Sequence, residues 1–373
     1  QAADNGVLAA INKIGELYLF GEVIPANMSK AIAYFNSASE KGYGRASYWL
    51  GRLHADGIGQ LEKDTRKAIA YYQKAIEQGY EDAQEWLNQL QQNLVDESMT
   101  DVEIPSDKTD DELYHDAKDA LNNTQFKKAY AYFSHLAQKG YAEAFNDLGD
   151  MYFYGQGVTP DKVRALEYYK KAAEHDSVYG YFNVGYLYWV GPQDIQDAKL
   201  ALQYLKQAAQ MGYTYALGFI GDIYRIGPED IIDYAEAKRY YQRGIDADEI
   251  NATKGMAILY LLGQGVTQNN AMGAFYLKKA ADKGNAWSMY NLGRLYYYGD
   301  GIPKNSNLAL EYLQKAYDAN YPEACSLLGL LYERGEGTAQ NIELANKLYR
   351  RGCDLGDSES MRFLAYNYLS GEG

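Results

Sequence analysis

A small residue returns every 36 positions through most of this chain: Gly149, Gly185, Gly221, Ala257, Gly293, Gly329 and Ala365. Gly15 and Gly51 keep the same interval near the N-terminus. Three residues after each stands a ring, at Tyr18, His54, Tyr152, Tyr188, Tyr224, Tyr260, Tyr296, Tyr332 and Tyr368. Positions i and i+3 share one face of a helix, so the small residue and the ring lie a turn apart on the same surface. A fixed period of this length marks a repeat array, in which each unit is a helical hairpin that hides its apolar face by stacking on its neighbours. Within one unit, 142–154 reads by its 3.6-residue periodicity as a first helix, and 162–174, containing A-L-E-Y-Y-K-K-A-A, as a second. The expected fold is all-α, a right-handed solenoid of stacked antiparallel hairpins with about twenty short helices.

Glycine pairs follow several first helices as G-x-G, at Gly155–Gly157, Gly263–Gly265, Gly299–Gly301 and Gly335–Gly337. A loop that cradles phosphate is needed once and follows a strand, whereas these recur after amphipathic helices and read as helix-ending turns. Twelve residues past the anchor comes a column of Asp or Asn: Asn27, Asp161, Asp197, Asp233, Asn269, Asn305 and Asn341, with Asp64 displaced by one residue. One short acceptor ahead of each second helix is what an N-cap requires. Carboxylates spread one per repeat do not share a proton or a metal. The four histidines, His54, His115, His135 and His175, form no H-E-x-x-H and no i,i+4 pair, and no serine sits in a G-x-S-x-G elbow. No catalytic, metal-binding or cofactor-binding residue is expected.

The array breaks once. S-Y-W-L-G-R-L-H at 47–54 aligns with Q-E-W-L-N-Q-L-Q at 84–91, so a further first helix begins with Asn88 at the anchor. Its partner does not follow. Instead 96–112 carries eight acidic residues and one lysine, which predicts a solvated linker. A hairpin without the glycine turn then resumes. The expected organisation is a short array over 1–94, an acidic linker over 95–110 and a long array over 111–373. The first residues, Q-A-A-D-N-G, match the ends of second helices, and the last, Y-N-Y-L-S-G-E-G, match a first helix and its turn. The chain is therefore expected to be part of a longer protein.

The columns combine into L-G-x-x-Y-x-x-G-x-G-V-x-x-D-x-x-x-A-x-x-Y-Y-x-K-A-A, nearly intact from Leu148 to Ala173. This pattern resembles the Sel1-like repeat, a longer-looped relative of the tetratricopeptide repeat, over nearly all of the chain outside 96–125. It departs from that repeat at Ala257 and Ala365, and at Val190–Gly191 and Gly227–Pro228, which lack the full G-x-G. The resemblance implies a non-catalytic scaffold or adaptor that binds a partner protein or peptide in the solenoid groove, in bacteria often periplasmic or secreted. A spacer, or a binder of glycan or envelope polymer, is the alternative.

A net charge of −14, from 36 basic against 50 acidic residues, argues against nucleic acid as a partner. No apolar run approaches the roughly eighteen residues that direct membrane insertion needs. Most of the 39 tyrosines fall in repeat columns such as Tyr168, Tyr204, Tyr240, Tyr276 and Tyr312, where packing is the expected role. By analogy with related solenoids, first helices line the concave side. Rings outside the packing columns and near first-helix ends, Tyr154, Tyr186, Trp189 and Tyr298, are the candidate partner contacts. Asp147, Asp150 and Asp222, beside the anchors, are the candidate acidic rim for a basic or amide-rich ligand. Cys325 and Cys353 fall at helix ends that an antiparallel hairpin brings together, so a disulfide and two buried thiols both fit the sequence.

Overall fold

The computed structural model describes residues 2–21, 24–58 and 61–370, and the expected terminal turn at 371–373 lies outside them. Among the described residues there are twenty α-helices and no strand. They group into two compact units, Gln1–Gln138 with Gln156–Val158, and Lys139–Gly155 with Thr159–Gly373. The first holds α1 (Ala2–Phe20), α2 (Met28–Glu40), α3 (Gly44–Asp56), α4 (Thr65–Glu77), α5 (Ala83–Thr100), α6 (Asp110–Asn122) and α7 (Phe126–Gln138). Residues 95–100, expected in the linker, belong to α5, and irregular backbone runs over 101–109. A capping box starts α6: Thr109 Oγ1 accepts from the Glu112 N–H, and the Glu112 carboxylate accepts from the Thr109 N–H.

The second unit pairs α8 (Ala142–Tyr154) with α9 (Lys162–Glu174), α10 (Val178–Val190) with α11 (Ala198–Gln210), and α12 (Ala216–Ile226) with α13 (Tyr234–Asp246). It continues with α14 (Ile250–Leu262) and α15 (Asn270–Ala281), α16 (Ala286–Tyr298) and α17 (Ser306–Asp318), α18 (Ala324–Arg334) and α19 (Ile342–Asp354), then α20 (Ser358–Ser370). Each helix packs on the next. In addition α8 touches α10, α10 touches α12, α12 touches α14 and α18 touches α20, which places the first helices on the tighter, inner side of this unit.

The cap column does what its chemistry predicts. Side-chain oxygens of Asn27, Asp64, Asp161, Asp197, Asp233, Asn269, Asn305 and Asn341 each accept an N–H from the first turn of a second helix. The main chain of the same residues reaches backwards. Asp161 donates its N–H to the Tyr152 carbonyl at 2.9 Å, Asn269 to Tyr260 at 2.8 Å and Asp64 to His54 at 2.9 Å. This clasp closes the loop at Gly155 and Gly157, whose φ values of 71° and 78° are left-handed. It also closes the loops without G-x-G, from Asp197 to Tyr188 at 2.9 Å and from Asp233 to Tyr224 at 2.8 Å. Asp197→Ala, which deletes the acceptor for the Lys199 and Leu200 N–H groups, is expected to lower stability by about 1 kcal/mol in chemical denaturation. Asp197→Asn should recover most of that loss, and equal stability of both variants and wild type would refute the cap.

The anchor is small because a second-helix side chain fills the space a Cβ would take. A Cβ on Gly149 would stand 2.5 Å from the Tyr169 ring, on Gly221 2.3 Å from Tyr241, and on Gly329 2.4 Å from Tyr349. In the first unit Gly15 meets Phe35 and Gly51 meets Tyr72, both at 2.7 Å. Ala257, the anchor that carries a methyl, lies in one buried cluster with Leu277, which stands at the second-helix position held by Tyr169, Tyr241 and Tyr349 elsewhere. One turn on, the ring column stacks on the tyrosines expected to pack: Tyr152 on Tyr168 at 5.5 Å, Tyr224 on Tyr240 at 5.8 Å and Tyr260 on Tyr276 at 5.7 Å. His54 takes the same place over Tyr71, at 5.5 Å.

One buried carboxylate organises the first unit. Glu16 of α1 is only 5% exposed. It accepts from Asn12 Nδ2 at 3.0 Å and Trp49 Nε1 at 3.1 Å, and pairs with Lys13 at 3.0 Å and Arg45 at 3.1 Å.

Candidate protein-interaction face

Counted from the anchor, positions −3, −2, +1 and +5 of a first helix fall on one face. On α8, α10 and α12 they close around a cleft of about 350 Å³, lined by Asp150, Tyr154, Phe182, Asn183, Tyr186, Val190 and Phe219 from these positions. Phe153, Tyr169 and Tyr215 complete it. The rings meet mostly at an angle: Tyr186 and Phe219 at 5.5 Å and 87°, Phe182 and Phe219 at 5.6 Å and 68°, Tyr215 and Phe219 at 5.4 Å and 70°. Edge-to-face packing of this kind fixes the rings relative to one another.

The polar part of the lining is a network. Tyr169 donates its hydroxyl to Asp150 Oδ1 at 2.7 Å, and Asn183 Nδ2 donates to Asn146 Oδ1 at 2.9 Å. Asn146 Nδ2 lies 3.4 Å from Asp150 Oδ2. Burial, then the neighbouring Asp150 carboxylate, pushes the Tyr169 hydroxyl far above the usual tyrosine range. Burial, Asp150 and Tyr186 also raise Tyr154. The Tyr169 hydroxyl thus stays protonated as the donor to Asp150.

Of the residues singled out in the sequence, Tyr154, Tyr186 and Asp150 come together in this cleft. Tyr298 occupies on α16 the position that Tyr154 holds on α8, and is 62% exposed. Trp189 is half-buried and lies outside the cleft lining. Two carboxylates depart from the expected acidic rim. Asp147 is buried at 3%, because the helical period places it in the stripe formed by Ala144, Leu148 and Met151. Asp222 accepts from the Tyr241 hydroxyl at 2.7 Å and pairs with Arg225 at 3.0 Å, so its charge is balanced within the fold. Cys325 and Cys353 are unbonded thiols, the first buried and the second half-buried. Burial pushes Cys325 up to about 11.

Tyr154 and Tyr298, singled out in the sequence, belong to a longer column whose other members were not picked out there. Position +5, the last residue of a first helix, is occupied by Tyr154, Val190, Ile226, Leu262 and Tyr298, which are 68%, 43%, 53%, 62% and 62% exposed. These side chains recur at 36-residue intervals, as do the buried columns, yet they face solvent. The column ends at Arg334. Its periodicity was the available signal, hidden because the column mixes aromatic and aliphatic types.

Among the described residues, no group of three or more His, Cys, Asp or Glu is placed to hold a metal ion. No described helix is long and apolar enough to cross a membrane.

Comparison with known proteins bears on the scaffold. Two solved structures align over most of their length. One is c5321, a protective antigen present in uropathogenic Escherichia coli strains and displaying an SLR fold, at 19% identity and a TM-score of 0.60, covering 99% of this chain and 81% of that one. The other is a Sel1 repeat protein from Oxalobacter formigenes, at 22% identity and a TM-score of 0.59, covering 89% of each chain. At these identities the likeness concerns the fold alone. No curated protein sequence matches the chain. The Sel1 repeat matches at residues 8–43, 44–80, 142–177, 178–213, 214–249, 251–285, 288–321, 322–357 and 358–373. With its hairpins, anchors and caps repeated across these spans, the chain belongs to the Sel1 repeat family.

Proposed function

We propose that this chain is a non-catalytic interaction scaffold that binds a partner protein or peptide along the inner face of its second unit. The observation that carries the reading is the exposed apolar column from Tyr154 to Tyr298, continuous at its N-terminal end with the aromatic cleft. Exposed apolar surface on this scale marks a binding surface, since water penalises it and the internal packing columns are already filled. Within this proposal the recognition surface of the long array, 111–373, lies on the part of it that forms the second unit, and irregular 101–109 is what remains of the linker expected between the short array and the long one. A periplasmic or secreted bacterial setting comes from the family resemblance alone. The ring faces of the cleft also suit a sugar, which makes a glycan or envelope polymer the second reading.

Affinity capture from source extract separates the two, using the intact chain beside Tyr154→Ser and a combined Ile226→Ser, Leu262→Ser variant. Exposed positions tolerate such changes within about 0.5 kcal/mol, so both variants should keep the wild-type circular dichroism and melting temperature. The affinity for a recovered polypeptide should fall at least about tenfold, the equivalent of about 1.4 kcal/mol. Folded variants that retain wild-type affinity would show that binding lies elsewhere. Retention of polysaccharide with no polypeptide would favour the second reading.

A further inference from the structure

On the four inner-face positions, charge is sorted along the array. The helices α8, α10 and α12 carry Asp147, Asp150 and Asp222 there and no basic residue. The helices α14, α16, α18 and α20 carry Lys254, Arg294, Arg334 and Arg362 there and no acidic one. Burial of Asp147 and the Arg225 pair of Asp222 leave Asp150 as the carboxylate that lines the cleft. At the other end Arg294 is exposed and sits one turn before Tyr298 on α16. Arg362 is held by Glu359 at 3.2 Å and Arg334 faces Glu336 at 3.8 Å, so Arg294 is the guanidinium offered beside the last ring of the exposed column. Ile226 and Leu262 lie between the two ends in sequence and offer only apolar surface.

Each end has its own chemistry. A cation is attracted by the faces of Tyr154, Tyr186 and Phe219, which carry the negative part of the ring quadrupole, and by the Asp150 carboxylate in the same lining. A carboxylate is attracted by guanidinium groups, which bind it through paired N–H donors. A neutral glycan makes no use of this sorting.

Resting on the reading that this face binds polypeptide, we propose that its ligand is an extended segment with segregated charge. A basic side chain enters the cleft beside Asp150, apolar side chains cover Ile226 and Leu262, and an acidic end lies over Arg294. Neighbouring helices pack about 8–10 Å apart, so the distance from the cleft to α16 is about 30 Å. An extended chain advancing about 3.3 Å per residue crosses that distance in about ten residues.

Selection of displayed random peptides about twelve residues long on the immobilised full chain tests this directly. The enriched sequences should carry Lys or Arg at one end, Asp or Glu at the other, and apolar residues between. Selection on Arg294→Glu should lose the acidic end and keep the basic one. Selection on Asp150→Asn, which retains an acceptor for Tyr169, should lose the basic end, and Tyr154→Ser supplies a second cleft variant at an exposed site. A synthetic peptide of the enriched sequence should bind at least about tenfold more tightly than a shuffled peptide of the same composition, a difference of about 1.4 kcal/mol. Enriched peptides without charge segregation, or with ends indifferent to the folded variants, overturn the charge assignment and leave the scaffold reading standing. Absence of any enrichment over the bare support overturns both.

Discussion

Gly221→Ala is expected to destabilise the second unit by about 2 kcal/mol, although the same change in an ordinary helix stabilises by about 1 kcal/mol. The added Cβ would stand 2.3 Å from Cε1 of Tyr241. That ring is fully buried and has no room to withdraw, because a Cβ at Gly255 would stand 2.2 Å from it on another side. Its hydroxyl is tethered as well, by 2.7 Å to Asp222 and 3.0 Å to Arg225. The helix gain is therefore outweighed by overpacking. Ala257 carries a methyl at this position where the second helix supplies Leu277, although Gly185 and Gly293, which face Leu205 and Leu313, stay glycine. Combining Gly221→Ala with Tyr241→Leu should accordingly cost less than the sum of the separate changes, by about 1 kcal/mol or more in a double-mutant cycle. Strict additivity, or a stabilised Gly221→Ala protein, would show that the anchor is small for another reason.

Loss of Glu16 should have a comparable effect in the first unit. Glu16→Ala is expected to cost about 2 kcal/mol, because it strands the donors of buried Asn12 and half-buried Trp49, whereas exposed Arg45 turns to water. The same residue should make this unit acid-sensitive. Burial alone would raise its pKa, but Lys13, Trp49 and Arg45 outweigh burial and hold the carboxyl below its ordinary 4.5. A depressed folded pKa means that the stabilisation is present above 4.5 and is lost as pH falls through the lower folded value. Thermal unfolding at neutral pH and at about pH 3.5 should show the first unit losing stability in acid, with a smaller loss in Glu16→Gln. An identical acid response in both proteins would assign the sensitivity to other carboxylates.

What could be read from the sequence was whatever one column does by itself. The anchors, the caps and the stacked rings each depend on local spacing, so Gly149, Asp161 and Tyr168 disclosed their roles before any packing was known. Residues whose role depends on a neighbour in another helix did not. Asp147 and Asp150 look alike beside the same glycine and lie about 60° apart on one broad face, yet Asp147 falls on its core-side edge and is buried while Asp150 lines the cleft. The Asp222 and Arg225 spacing was visible, but Tyr241, which completes their network, comes from the following helix. The acidic composition near residue 96 favoured a linker, whereas α5 continues to Thr100, close to where buried Met99 packs. The cleft itself required three helices to be placed together.

The clasp between the cap residue and the ring-column carbonyl has an evolutionary consequence. It fastens both ends of the loop whether the chain between them passes through left-handed glycines or, as after Gly191 and Gly227, through proline. The loop before Asp64 already holds one residue more than the others. A hairpin secured in this way tolerates splicing along that rim, since an insertion there leaves helix register, anchor contacts and caps unchanged. New recognition segments can thus be grafted onto one edge of the array while selection refines the inner face separately.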